Sequence, residues 1–145
     1  MMGRIIALDV GDVRIGVAVS DPTGTIAQPL EVYKRVGYRP DCAYVLKLSE
    51  QYGTRDILLG LPLNMDGSAG GQAQKVKDFA KVLSDAGLNI LFQDERLTTV
   101  TAEQVLISGG VHRENRKKYV DKLAAAVILE QYMTSRVKEN QNGAE

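Results

Sequence analysis

The spacing of apolar positions changes period along the chain, and the changes mark out its elements. Residues 4–10 (RIIALDV) form a short apolar run that reads as a buried strand. RIGVAVS (14–20) follows after Gly11-Asp12-Val13, a spacing suited to a hairpin. Asp21-Pro22-Thr23-Gly24 is a turn signal, and Ile26 to Arg35 reads as a third strand. Pro29 within it argues for a sheet edge, because proline cannot donate to a ladder on both sides. The chain therefore opens as an antiparallel meander.

Helical spacing then takes over. Asp41 to Tyr52 places Tyr44, Val45, Leu48 and Tyr52 on one stripe, with Gly53 as a stop. Arg55 to Leu61 is an apolar strand cut off by Pro62. Ala73 to Ala86 aligns Val76, Phe79, Ala80 and Leu83 before Gly87, and Asn89 to Gln93 is a further strand. Thr98 or Thr99 can cap a helix running to Ser108, ended by Gly109-Gly110. A last helix from about Arg116 to Arg136 buries Val120, Leu123, Ala124, Val127, Ile128 and Met133 or Tyr132. The order βββ-α-β-α-β-α-α predicts an α/β fold, a mixed sheet with helices on its faces.

Composition narrows the class. The 145 residues are 44% hydrophobic and 25% charged, too apolar for a disordered chain and about the size of one domain. We expect a single domain over residues 1–137 and a flexible polar tail over 138–145. Eighteen basic residues balance eighteen acidic ones, so any contact with nucleic acid must use local patches. Cys42 is the sole cysteine, which excludes an internal disulfide and a Cys-based zinc cluster and suits a reducing compartment. No apolar run reaches the ~18–20 residues of a membrane span, and Asp9 interrupts any signal-peptide core. A cytoplasmic protein without membrane contact is the expectation.

The acidic residues carry the chemistry. Asp9 closes the first strand, and Asp94-Glu95 close the strand after Ile90. Ligands gather at the carboxyl ends of strands in open sheets with parallel crossovers, so Asp9 and Glu95 are placed to meet. Asp121 lies on an otherwise apolar stretch of the last helix, where a lone carboxylate costs several kcal/mol unless paired or bound to metal. Ala124 and Ala125 would let that helix lie close to the sheet. Three carboxylates in one cleft call for a cation, and oxygen ligands indicate magnesium or manganese. Each acid also has an ordinary reading: Asp9 as a turn former, Glu95 paired with Arg96, Asp121 paired with Lys118 or Lys122.

At these residues the chain resembles the YqgF family of ribonuclease H-like proteins, also called RuvX. The matching segments are ALDVGDVRIGVAVSD (7–21), LLGLPLNMDGSAGGQ (58–72), DERLTT (94–99) and VDKLAAAVILEQY (120–132), spanning nearly the whole chain. The resemblance implies a five-stranded mixed sheet of ribonuclease H-like fold, with Asp9, Glu95 and Asp121 as catalytic acids and metal ligands. It implies a metal-dependent endonuclease using Mg2+ or Mn2+, with two ions suited to in-line phosphodiester hydrolysis. Two substrates follow from it: the 5′ end of pre-16S rRNA, which we favour, and the four-way DNA junction of a Holliday junction resolvase.

Basic residues suggest where a nucleic-acid partner would lie. Tyr33 to Arg39 interleaves Lys34, Arg35 and Arg39 with two tyrosines in an expected loop, a pattern suited to backbone contact and base stacking, or to a plain solvated connection. Arg113, Arg116, Lys117 and Lys118 precede Asp121 and could gather phosphates, and Arg14 and Arg96 follow the acid-bearing segments. NMDGSAGG (64–71) leads into a helix and could hold a phosphate, although it lacks the lysine of a P-loop. His112 reads as a surface residue and Cys42 as packing. Two other classes compete: a phosphate-handling enzyme, since Asp9-x-Gly11 with its hairpin also resembles the actin and sugar-kinase phosphate loop, and a non-catalytic nucleic-acid-binding module. A monomer and a homodimer are both compatible with the sequence.

Overall fold

The computed structural model describes residues 4–62, 70–94 and 123–135. Seven elements follow one another: β1 (Ile6–Val10), β2 (Arg14–Ser20), β3 (Ala27–Lys34), α1 (Tyr38–Tyr52), β4 (Asp56–Leu61), α2 (Gly71–Asp85) and β5 (Asn89–Asp94). A further helix, α3, covers residues 123–135. The sheet is five-stranded in the order β3-β2-β1-β4-β5. β1 pairs antiparallel with β2 and β2 with β3, while β1–β4 and β4–β5 are parallel. This is the mixed α/β sheet expected of a meander followed by β-α-β crossovers.

β1 lies at the centre and is buried on both faces, as its near-unbroken apolar run requires. On one face Ile6, Leu8 and Val10 join Ile15, Val17, Ile57 and Leu59 beneath α1 and α2. Val45 and Leu48 of α1 and Val76, Phe79 and Leu83 of α2 close that layer. On the other face Ile5, Ala7, Ala18 and Leu58 pack with Ala125, Ile128, Leu129 and Met133 of α3. Ala124 and Ala125 are fully buried, so the small residues of α3 do bring that helix close to the sheet.

β3 is an edge strand, as Pro29 argued. The ladder shifts there: Val17 pairs with Glu31 and Ala18 with Pro29, which leaves Leu30 as the extra residue of a bulge. α1 ends at Gly53 in the left-handed conformation (φ 65°), where its N–H reaches the Ser49 carbonyl.

α1 begins at Tyr38, three residues before the expected start at Asp41. Pro40 explains the difference, because in the first turn its missing N–H has no helical partner to lose. The expected 33–39 loop is thus divided: Tyr33 and Lys34 end β3, residues 35–37 connect, and Tyr38 and Arg39 open α1. The expected helix over 98–108, the start of the last helix and the 138–145 tail lie outside the described residues.

Candidate active site

Strand alternation sets the direction of Asp9. Ile6, Leu8 and Val10 face α1 and α2, so Asp9 shares the opposite face with Ile5 and Ala7, on the side of α3. It lies one residue from the carboxyl end of β1 and is partly buried. Its partner on β2 is Gly16. Leu8 pairs with Leu59, and Leu59 with Phe92, so the next row across the sheet is Asp9, Gly60 and Gln93. Both flanking strands therefore present a glycine beside Asp9.

Two cations share this face. Arg14, two residues before Gly16, opens β2 and pairs in register with Lys34 at the end of β3. Arg14 is partly buried and Lys34 exposed. The carboxylate at the sheet's centre thus has two positive side chains beyond it, at the β2–β3 end of the same face.

The last turn of α3 places Tyr132 and Ser135 around a cavity of about 670 Å3 with Asp56 and Asn89, the first residues of β4 and β5.

The turn after Asp9 is held from several sides. The Gly11 N–H donates to the Arg14 carbonyl at 2.8 Å, closing the hairpin. A Cβ on Gly11 would stand 3.0 Å from that same oxygen, which explains the glycine. The Arg35 guanidinium donates to the Gly11 carbonyl at 2.8 Å, and the Arg35 amide donates to the Val13 carbonyl at 2.9 Å. Lys75 of α2 pairs with Asp12 at 3.2 Å on the surface.

Behind Arg35 stands Asp41, which is completely buried. Its carboxylate accepts from Arg35 Nε at 3.0 Å, the Tyr33 hydroxyl at 3.0 Å, and the Val36 and Gly37 amides at 3.0 and 3.4 Å. Burial pushes the Asp41 carboxyl up, but the Val36 amide, the Arg35 guanidinium and the other donors outweigh it and hold the group below the usual carboxylate value. Burial raises the Tyr33 phenol, and its bond to Asp41 adds to the effect. Arg35 also lies 5.1 Å from the Phe79 ring centre and 5.9 Å from that of Tyr38.

The residues singled out in the sequence are thus distributed unevenly. Asp9, Arg14 and Lys34 share one face. Arg35 is turned the other way, beneath α1 and α2, and its side chain is only 15% exposed. Arg39 is exposed on the first turn of α1. Glu95, Arg96, Arg113, Arg116, Lys117, Lys118 and Asp121 lie outside the described residues, as does most of the 64–71 segment.

Among the described residues, no group of three His, Cys, Asp or Glu side chains forms a metal cluster. Asp9 itself suits a hard cation: an oxygen donor near a strand end, with glycines in register on the adjacent strands. Asp41 was missed as a structural residue. Its position three residues into α1 hides it, because its carboxylate reaches back to amides that precede the helix.

The model of the RuvX family, described as Holliday junction resolvase, matches residues 3–135. A protein of Desulforamulus reducens named "Putative pre-16S rRNA nuclease" is 48% identical over 136 residues, covering 93% of this chain and 99% of that one. A Clostridioides difficile protein of the same name is 43% identical over 136 residues, with 93% and 96% covered. Among solved structures, Thermus thermophilus RuvC in complex with a Holliday junction substrate aligns with a TM-score of 0.58 at 16% identity, over 94% of this chain and 96% of that one. A second Thermus thermophilus RuvC structure aligns with a TM-score of 0.55 at 17% identity, over 93% of this chain and 96% of that one. At that identity the likeness is one of fold, and it agrees with the ribonuclease H-like sheet expected from the sequence. The family match and the close relatives establish the lineage independently: this chain belongs to the RuvX family.

Proposed function

We propose that the protein is a divalent-metal-dependent endonuclease for structured nucleic acid, with 5′-end maturation of pre-16S rRNA as its principal role. The observation that carries this reading is Asp9 at the carboxyl end of the central strand, between two glycines and on one face with Arg14 and Lys34. The names of the close relatives support the nuclease activity and the rRNA substrate.

Asp9, Glu95 and Asp121 would hold the metal. Glu95 follows Asp94, the last residue of β5, which runs parallel to β4 and so ends at the same edge of the sheet as Asp9. Asp121 precedes by two residues the described start of α3, the helix packed on the Asp9 face. When bound, the ions supply an activated water and stabilise the departing oxygen. The chain's own residues would do the rest: the carboxylates would bring negative charge to the metal, and Arg14 and Lys34 would attract the phosphate backbone toward the Asp9 face. A bare carboxylate cluster would repel that backbone, so the cation pair on the same face matters for approach as well as grip.

The test offers pre-16S rRNA and four-way DNA junctions to the purified protein with Mg2+, Mn2+ or chelator. Cleavage of the RNA that requires metal and disappears in Asp9→Asn and Glu95→Gln is the expected result. Preferential cutting of the junction would shift the substrate to branched DNA, in line with the family's description. Cleavage that survives chelator or both substitutions would overturn the mechanism. No helix among the described residues is long and apolar enough to cross a membrane.

A further inference from the structure

We infer that Arg35, held by the buried Asp41, is a positioning residue that fixes the turn directly after Asp9 and thereby the aim of its carboxylate. The inference rests on the nuclease reading for its catalytic consequence, but its structural content stands apart from it.

The connection runs through few atoms. Asp41 is fully buried and receives four donors, two of them backbone amides of the β3–α1 connection. Its Oδ2 takes Arg35 Nε, which leaves another arm of the same planar guanidinium to reach the Gly11 carbonyl. Gly11 is two residues beyond Asp9. The Arg35 amide holds the Val13 carbonyl on the far side of the turn. One carboxylate therefore sets a guanidinium, and that guanidinium sets the backbone next to the candidate catalytic acid.

The pair is a poor device for stability alone. A buried carboxylate and a largely covered guanidinium lose hydration, and apolar groups of similar volume often stabilise such a site as well or better. A guanidinium does offer what an apolar pair lacks: a rigid fork that fixes two acceptors at a set angle. The guanidinium also contacts two rings, 5.1 Å from the Phe79 centre and 5.9 Å from that of Tyr38, which restricts its movement. The Lys75–Asp12 pair is exposed at both ends and adds little constraint.

Arg35→Lys separates this role from its rivals. Lysine keeps the positive charge beside Asp41 but cannot reach both Asp41 and the Gly11 carbonyl as a planar fork. With the pre-16S substrate, kcat should fall about tenfold with KM within about twofold, the signature of a displaced reacting group. The Gly11 amide, which closes the turn, should exchange its hydrogen about tenfold faster by NMR, while amides of β4 and α2 keep their protection.

A raised KM with a shallower salt dependence and unchanged kcat would make Arg35 a phosphate contact and overturn the inference. Unchanged kinetics together with unchanged Gly11 exchange would overturn it too. If the wild-type protein cuts none of the nucleic acids, the nuclease reading fails by itself. The Gly11 exchange rate then decides whether Arg35 holds the turn.

Discussion

Asp9 on β1 stands opposite Gly16 on β2, and β4 offers Gly60 in the same row, so the acid is bordered by two residues without side chains. Arg14, two residues from Gly16 on the same strand, brings a cation to the same face. An isosteric, neutral replacement at position 9 tests the carboxylate with little change of volume. Asp9→Asn should reduce cleavage by at least about a hundredfold, the scale for removing one group that stabilises charge in a reaction. Initial rates measured beside a thermal melt check this. Loss of activity explained by loss of folded protein would remove Asp9 from the chemistry.

Arg14 and Lys34 pair in register at the strand ends on the Asp9 face, where Lys34 is exposed and Arg14 partly so. Each phosphate contact releases counterions, so removing one lowers the slope of log K against log salt by about 0.7–0.9. Binding of Arg14→Ala and Lys34→Ala to the substrate RNA should be weaker at low salt and show that reduced slope. Arg39→Ala, on the opposite layer, should leave the slope within error if the Asp9 face is the one engaged. Fluorescence anisotropy across a salt series reads all three.

Acid should act on the fold through Asp41. Its carboxyl is held below the ordinary 3.8 in the folded chain, whereas in the unfolded chain it titrates near that value. As the pH falls, the unfolded state takes up the proton first, so this stabilisation is complete above the ordinary carboxylate value and is lost as pH drops through the lowered one. Asp21, held at about 2 by the Ile26 amide foremost and by Thr23, has the same sign, but its exposure makes its share small. Urea midpoints should be level from about pH 6 to about pH 5 and fall below about pH 4. Asp41→Asn should start lower and fall less steeply, and parallel curves for the two proteins would contradict the assignment.

Two helix-flanking glycines should respond oppositely to the same change. Gly53 closes α1 at φ 65°, in the left-handed region, and a Cβ there would meet no neighbour within 4 Å. Gly53→Ala therefore suffers from the backbone alone, at about 1 kcal/mol. Gly71, the first residue of α2, has equally open surroundings and no left-handed conformation. Gly71→Ala restricts the unfolded chain without strain and should gain roughly 0.5 kcal/mol. Thermal melts of the two variants would show shifts of opposite sign.

The sheet was legible because its signals are local. The RIIALDV run, the Pro29 edge and the Gly53 and Gly87 stops each depend on a few neighbouring residues, and each matches an element of the structure. The facing of Asp9 follows from simple alternation. Arg35 was harder to read, because a cation beside Lys34 and Arg39 suggests one solvated patch. Alternation divides that patch: Lys34 shares a face with Arg14, while Arg35, one residue on, turns beneath α1 to a carboxylate six positions away. Nothing in the sequence marks Asp41 as fully buried, since its bonding partners come from the connection before its helix. Whether two acids far apart in sequence meet at one strand end is set by long-range packing, which periodicity does not encode.

The interrupted ladder along β3 has a consequence for self-association. A proline without an amide hydrogen and a bulge at Leu30 break the regular row of donors and acceptors that an incoming strand would need. That border is a poor template for continuing the sheet into a second molecule, whether in an ordered assembly or in a misfolded aggregate. Strand addition along β3 is thus disfavoured, and with it one way of covering the β2–β3 end that carries Arg14 and Lys34.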